Sequence, residues 1–215
     1  MDRIKQLVEF IDSYKCLADV GCDHGLLIIE AFKKYKLDMA IAIDNKKGPL
    51  NQAITNIKKY DFASKVRFSL SSGIKDIDDN TDVVVIAGMG GMLISDILND
   101  DLKNVQRLIL QPNRDIPEVR IKVMKLGFKI VIEKIVFENN KYYEILVCDC
   151  LKTKEVINYS LDELEFGPCL LKNKDQLFVD KWLNEIKKLE DIKKNTTVYQ
   201  QLDQKIERIK NVLCL

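Results

Sequence analysis

The chain has 215 residues, 47% apolar and 31% charged, an ordinary mix for a globular protein with room for one full domain and an appendage. Its 34 Lys and Arg balance 33 Asp and Glu to a formal net charge of +1, which counts against a non-specific, charge-driven nucleic-acid binder but allows local basic patches. No apolar run approaches the roughly 20 residues of a membrane helix, and Met1-Asp-Arg-Ile-Lys5 lacks the apolar core of a signal peptide, so a cytoplasmic protein without a membrane partner is expected. The six cysteines form no C-x-x-C pair and His24 is the single histidine, which leaves little for a zinc site. Cys148 and Cys150, alternating along one strand, read as small buried apolar residues in a reducing compartment.

Residues 2–12 place Ile4, Leu7, Val8 and Ile11 at helical spacing, a leading helix against a sheet. Leu17-Ala-Asp-Val-Gly-Cys-Asp-His-Gly25 then reads as a buried strand (residues 16–21) and a tight glycine turn, with a helix over about residues 24–35. Such a turn at the carboxyl end of a first strand is where an open α/β sheet holds a nucleotide-like ligand. A dinucleotide fingerprint has glycine where this turn has Asp23, and a carboxylate there would repel a pyrophosphate. The loop therefore suits a cationic, phosphate-free nucleoside, and S-adenosylmethionine is that ligand.

A second strand over residues 38–44 ends in Asp44, about twenty residues past the turn, where a carboxylate meets ribose hydroxyls. Gly48-Pro49 opens a helix with Ala53, Ile54 and Ile57 inward. A third strand, residues 65–70, is followed by Ser71-Ser-Gly73, which should overhang the adenine ring. Residues 82–87 form the most apolar and hence central strand. It ends in Gly88-Met-Gly-Gly91, where small residues favour close approach of backbone to a ligand, before a helix over 92–98. The fifth strand, residues 105–111, is closed by Pro112-Asn113. A helix follows from Ile116 or Pro117 to before Gly127. Strands over 128–137 and 142–150 are joined by so short a link that they must form an antiparallel hairpin.

After Cys150 the pattern changes. Residues 176–194 and 198–213 carry apolar residues at helical spacing on otherwise charged helices, with Asn195-Thr-Thr197 as turn and cap between them. The expected fold is an α/β, Rossmann-like class I methyltransferase: a mostly parallel seven-stranded sheet ending in an antiparallel hairpin, with a C-terminal α-helical part. We divide it into a cofactor-binding catalytic domain, residues 1–152, and a helical hairpin domain, residues 153–215. No long heptad seam is left over, and a monomer is expected.

Asp19-Val-Gly-Cys-Asp-His-Gly25, Gly48-Pro-Leu50, Val85-Ile-Ala-Gly-Met-Gly-Gly91, Leu108-Ile-Leu-Gln-Pro-Asn113, Tyr143-Glu-Ile145 and Phe166-Gly-Pro168 together resemble the bacterial tRNA methyltransferases that modify N1 of adenine 22. The resemblance spans nearly the whole chain. It implies a coiled-coil-like C-terminal domain, S-adenosylmethionine as cofactor and tRNA as substrate. By motif match it implies cofactor contacts from Asp19, Gly21, Asp23, His24, Gly25, Asp44, Ala87, Gly88 and Met89. Asn45, Ser72 and Gly73 join this group by position, Ser72 standing where many methyltransferases place Asp or Asn against the adenine amine.

The N1 of neutral adenine carries an in-plane lone pair, so its attack on a sulfonium methyl requires no triad, metal or thiol, and no catalytic side chain is assigned. Gly88, Met89, Gly90, Gln111 and Asn113 are the candidates to line the target-base pocket. Asn113 is equally placed to cap the next helix. His24 holds the turn or contacts the methionine end of the cofactor. Lys46, Lys47, Arg114, Arg120, Arg3 and Lys5 are the candidate phosphate contacts. Two other readings compete: a class I methyltransferase acting on a small molecule or protein, and a non-catalytic module that binds a partner through its helical hairpin.

Overall fold

The computed structural model describes residues 3–98, 102, 104–151, 157–194 and 199–215. Seven strands form one sheet: β1 (Cys16–Val20), β2 (Met39–Asp44), β3 (Val66–Leu70), β4 (Val83–Met89), β5 (Arg107–Pro112), β6 (Phe128–Glu138) and β7 (Lys141–Cys150), in the order β3-β2-β1-β4-β5-β7-β6. β1 to β5 run parallel, and β7 lies antiparallel between β5 and β6. This is the expected class I methyltransferase sheet with its terminal hairpin.

The inner parallel strands are mostly apolar, as befits strands covered by helices on both faces, whereas the edge strand β3 carries Arg67 and Ser69. Successive residues point to opposite faces: Val83 and Val85 of β4 enter the core beneath α1 (Arg3–Glu9), α2 (Leu26–Lys34) and α3 (Lys47–Ile57). Val84 and Ile86 enter the opposite core, beneath α4 (Gly91–Ile97) and α5 (Ile116–Lys125). α1 buries Leu7 and Val8, α3 buries Ala53 and Ile57, and α5 buries Val119 and Val123. Among the described residues, no helix is long and apolar enough to cross a membrane.

The hairpin link is tighter than expected. Glu138 pairs with Lys141, so only Asn139 and Asn140 turn the chain, with φ of 50° and 59°. Two consecutive left-handed residues make a type I′ turn, whose twist matches the flanking strands, and Asn tolerates that conformation.

The C-terminal part begins earlier than the periodicity suggested. α6 (Leu161–Phe166) and α7 (Leu170–Asn173) precede α8 (Gln176–Lys193) and α9 (Gln200–Leu213). α6 opens with a capping box: Ser160 Oγ accepts from the Glu163 N–H at 3.2 Å, and Glu163 Oε2 accepts from the Ser160 N–H at 2.8 Å. Phe166, Leu170, Phe178, Trp182, Ile186, Leu189, Ile206 and Ile209 bury one another and Ile135 of β6. The expected turn at Asn195-Thr-Thr197 and the boundary at 152/153 lie outside the described residues.

The helices and the sheet meet on a buried ionic cluster. Arg120 of α5, expected as a phosphate contact, is fully buried and unavailable to RNA. Its Nε donates to Glu133 Oε1 at 2.8 Å, Nη2 donates to Glu144, and Nη1 donates to the Leu164 and Glu165 carbonyls at 2.9 and 3.1 Å. Lys181 of α8 donates to the other Glu144 oxygen, and Glu133 Oε2 accepts from the Cys169 N–H at 2.8 Å. Burial raises the Glu133 carboxyl although Arg120 opposes it. At Glu144 burial pushes the same way, but Lys181 and Arg120 outweigh it and hold the carboxyl below its ordinary value.

The cysteines divide. Cys22 and Cys148 are buried as expected, whereas Cys150 and Cys214 are exposed and all six are free thiols. Cys150 fails the expectation because it is the last residue of β7, past the covering helices.

Removing one partner of a buried charge network strands the others. Arg120→Met should therefore destabilise the protein by about 3–5 kcal/mol in urea unfolding. A loss under about 1 kcal/mol would show that the cluster does not hold the helices to the sheet.

Candidate functional site

Strand order reverses at β1, whose neighbours β2 and β4 send their connections to opposite faces, and the crevice this leaves is where open α/β sheets bind ligands. A cavity of about 650 Å³ lies there, within the range of small-molecule sites. Its walls come from four strand ends. Asp19 near the end of β1 is followed by Gly21 and Asp23, and Asp44, the last residue of β2, by Asn45 and Lys46. Ser71, Ser72 and Gly73 follow β3, and Ala87, Gly88 and Met89 close β4.

The loop after β1 is held from both sides. The N–H groups of Gly21 and Cys22 donate to the Ile43 carbonyl at 2.8 and 3.0 Å, and the Gly25 N–H donates to the Cys22 carbonyl at 2.7 Å. Gly25 sits at φ +70°, and a Cβ there would lie 2.8 Å from Ile57 Cδ1, so a side chain would strain the turn and displace Ile57. Gly91 meets the same demand at the start of α4. Its N–H donates to the Arg114 carbonyl at 2.8 Å, and a Cβ would run into the carbonyl oxygens of Arg114 and Asp115.

The site is acidic at its base. Asp19 is only 4% exposed. Burial pushes its carboxyl up to about 7, and the nearby Asp44 and Asp23 carboxylates push the same way. Asp44 Oδ1 accepts from the Lys46 N–H at 2.8 Å, which leaves Oδ2 for a ligand. Buried Asp19 and Asp44, with exposed Asp23 beside them, make the cavity complementary to a cation. The donor set thus fits S-adenosylmethionine, with its ammonium, sulfonium and ribose hydroxyls, and does not fit a pyrophosphate.

Not every expected residue lines the cavity. His24 is half exposed, faces Asp23 Oδ1 at 3.4 Å, and its carbonyl accepts from Asn56 Nδ2 at 3.0 Å. It holds the turn, and Gly25 packs behind it. Gly90 lies outside the lining, beside Arg114. Gln111 is fully buried and engaged with Arg3, Pro112 and Asn113. Asn113 is exposed, and its Nδ2 donates to the Gly88 carbonyl at 2.7 Å. It does not cap α5, whose N-cap position is Asp115.

Of the expected phosphate contacts, Lys5, Lys46, Lys47 and Arg114 are exposed. Arg3 turns inward instead, lining the cavity with Ile4 and Leu7 of α1. That contribution was missed. The apolar spacing of α1 showed which face packs down but nothing about where its first turn ends.

The family model for tRNA (adenine(22)-N(1))-methyltransferase matches residues 17–213. A tRNA (adenine(22)-N(1))-methyltransferase of Bacillus subtilis is 32% identical over 97% of this chain and 88% of its own length. The crystal structure of Streptococcus pneumoniae Sp1610 in complex with S-adenosyl-L-methionine superposes with a TM-score of 0.89 at 37% identity, covering 98% of each chain. Mycoplasma capricolum TrmK in complex with S-adenosyl-homocysteine does so at 0.84 and 27% identity, covering 99% of this chain and 95% of that one. With both the sequence match and the shared architecture running from the first strand to the last helix, the chain belongs to the tRNA (adenine(22)-N(1))-methyltransferase family.

Proposed function

We propose that the protein transfers the methyl group of S-adenosylmethionine to N1 of adenine 22 in tRNA. The observation that carries this reading is the acidic cavity at the switch point, built by a chain of this family from Asp19, Asp23 and Asp44 without a phosphate cradle. S-adenosylmethionine, when bound, supplies an electrophilic sulfonium methyl. Asp44 takes the ribose hydroxyls through its unshared oxygen, and Asp19 and Asp23 face the ammonium end. Asn45, Ser72 and Gly73 border the adenine, while Ala87, Gly88 and Met89 bound the reacting end.

The N1 lone pair forms the new N–C bond as the S–C bond breaks, and no proton leaves before the attack. The protein's contribution is therefore alignment, together with carboxylates and carbonyls that stabilise the cationic methyladenine product. Adenine must leave its pairing or stack to present N1. Gly88 and Met89 are the wall it would meet, and Lys46, Lys47, Lys5 and Arg114, all exposed, are the candidates to take phosphates, Lys46 from the cavity lining itself.

The same reading puts the enzyme in the cytoplasm with its tRNA, divided at 152/153 into catalytic and helical parts. It works as a monomer, a reading supported by the apolar stripes of α8 and α9 being covered within the chain.

Incubation with unmodified tRNA and labelled cofactor should place the methyl on N1 of adenine 22. Transfer to another base, or only to a free small molecule, would overturn the assignment. Asp44→Ala removes a charged hydrogen-bond acceptor and should weaken cofactor binding about ten-fold by calorimetry. Unchanged affinity would sink the ribose role.

Asp19 adds a pH dependence. The native protein holds its proton up to about pH 7, whereas the unfolded chain releases it near 3.8. The stability this contributes is full below the lower value and is lost as pH rises through the upper one. The form that binds a cation is the ionised one, so cofactor affinity should climb from about pH 6 to about pH 8 as stability of the free protein falls. Asp19→Asn should flatten both curves. Calorimetry and urea unfolding across that window would show it, and slopes equal to the parent's would refute it.

A further inference from the structure

The N-terminal helix reaches the reacting end of the cavity through an unbroken run of side-chain hydrogen bonds. Arg3 Nη1 donates to Gln111 Oε1 at 2.8 Å, Gln111 Nε2 donates to Asn113 Oδ1 at 3.1 Å, and Asn113 Nδ2 donates to the Gly88 carbonyl at 2.7 Å. Both ends of the run have fixed polarity. A guanidinium only donates and a backbone carbonyl only accepts, so each amide between them has a single orientation. Gln111, fully buried, also donates to the Pro112 carbonyl at 3.0 Å and has no alternative partner set.

Each end is anchored as well. The Arg3 backbone N–H donates to Glu138 Oε1 at 3.0 Å, and its guanidinium lies 4.5 Å from the centre of the Tyr143 ring. Asn113 grips the end of β4 twice, because its backbone N–H also donates to the Met89 carbonyl at 2.7 Å. The gripped segment is irregular: Gly88 has φ +78°, and the register between β4 and β5 shifts between Ala87 and Met89. Such irregularities re-aim a strand end, and here they re-aim two residues that form the cavity wall.

We infer that Arg3 and Gln111 are positioning residues for methyl transfer, acting through Asn113 to hold the Gly88–Met89 turn in the shape that aligns the acceptor base with the methyl group. The inference rests on the methyltransferase reading above. Attack by N1 needs no general base, so the rate depends on alignment, and a displacement of about 1 Å is worth up to about a hundred-fold. Gln111 lies outside the cavity lining, and Arg3 enters it from α1. Their effect passes through the polarity of two amides.

Gln111→Glu tests this polarity. It keeps the volume and an acceptor for Arg3 but has no N–H for Asn113 Oδ1 or the Pro112 carbonyl. The kcat for tRNA should fall about ten-fold or more while cofactor Kd stays near the parent's, and Tm should fall because a buried carboxylate replaces a buried amide. Amide hydrogen exchange over residues 87–91 should quicken with no substrate present. Arg3→Met should likewise lower kcat and quicken exchange over 87–91, and Arg3→Lys, which keeps a donor, should recover most of the rate; cofactor Kd is read at Gln111→Glu, because Arg3 lines the cavity. The inference is overturned if Gln111→Glu leaves kcat within about twofold of the parent, leaves exchange over 87–91 unchanged, or lowers kcat and cofactor affinity together. The exchange measurement needs no acceptor, so methylation of a base other than adenine 22 would sink the functional reading and leave the relay to be judged by exchange alone.

Discussion

Asp19 is the constraint around which the site is built. It stands at the end of β1, between β2 and β4, at 4% exposure, with Asp44 and Asp23 close enough to push its carboxyl further up. A protein interior tolerates a carboxylate when a cation or several N–H donors meet it. Here Asp23 faces the His24 ring at 3.4 Å and, among the described residues, no Lys or Arg pairs with Asp19 or Asp44, so the compensating charge there is left for a ligand to supply. The parallel sheet provides the place, since only at the strand-order reversal do the connections part and leave a crevice. Gly25 and Gly91 let α3 and the β5–α5 connection close against it.

The contrast with the cluster under the C-terminal helices separates a structural charge network from a functional one. Arg120 and Lys181 meet Glu133 and Glu144, two cations for two anions, and the remaining guanidinium N–H groups find the Leu164 and Glu165 carbonyls. That network is complete in itself and has no use for a ligand. Asp19 and Asp44 at the switch point, 4% and 8% exposed, have no such cation partner among the described residues. An unbalanced buried charge facing a cavity is a stronger sign of a site than a perturbed titration alone.

What was legible in the sequence follows the range of the interactions involved. The strands and the terminal hairpin could be read because apolar periodicity and loop length are local. Asp19, Asp23 and Asp44 could be read because their places relative to a glycine turn are fixed by a single βαβ unit. Arg120 could not, because an arginine four residues into an amphipathic helix looks like solvated surface until Glu133 and Glu144 from the hairpin and Lys181 from α8 are folded onto it. Arg3 and Gln111, 108 residues apart, carry no mutual signal in one dimension. The start of α6 is a different case: Ser160 and Glu163 are a local capping signature, legible in principle and passed over because the apolar pattern around them is short.

The absence of a base in the chemistry shifts the burden of catalysis onto geometry, and the fold answers with fixed hydrogen-bond direction rather than with reactive groups. His24, the one imidazole in the chain, spends its carbonyl on Asn56 and its ring beside Asp23 in holding a left-handed turn. Gln111 and Asn113, whose amides had the chemistry to read an adenine edge, spend that capacity on each other and on the Gly88 carbonyl. Side chains that would carry reaction steps in a hydrolase here set backbone shape. For an acceptor that arrives with its own lone pair, a wall of the correct shape and a cavity of the correct charge are sufficient machinery.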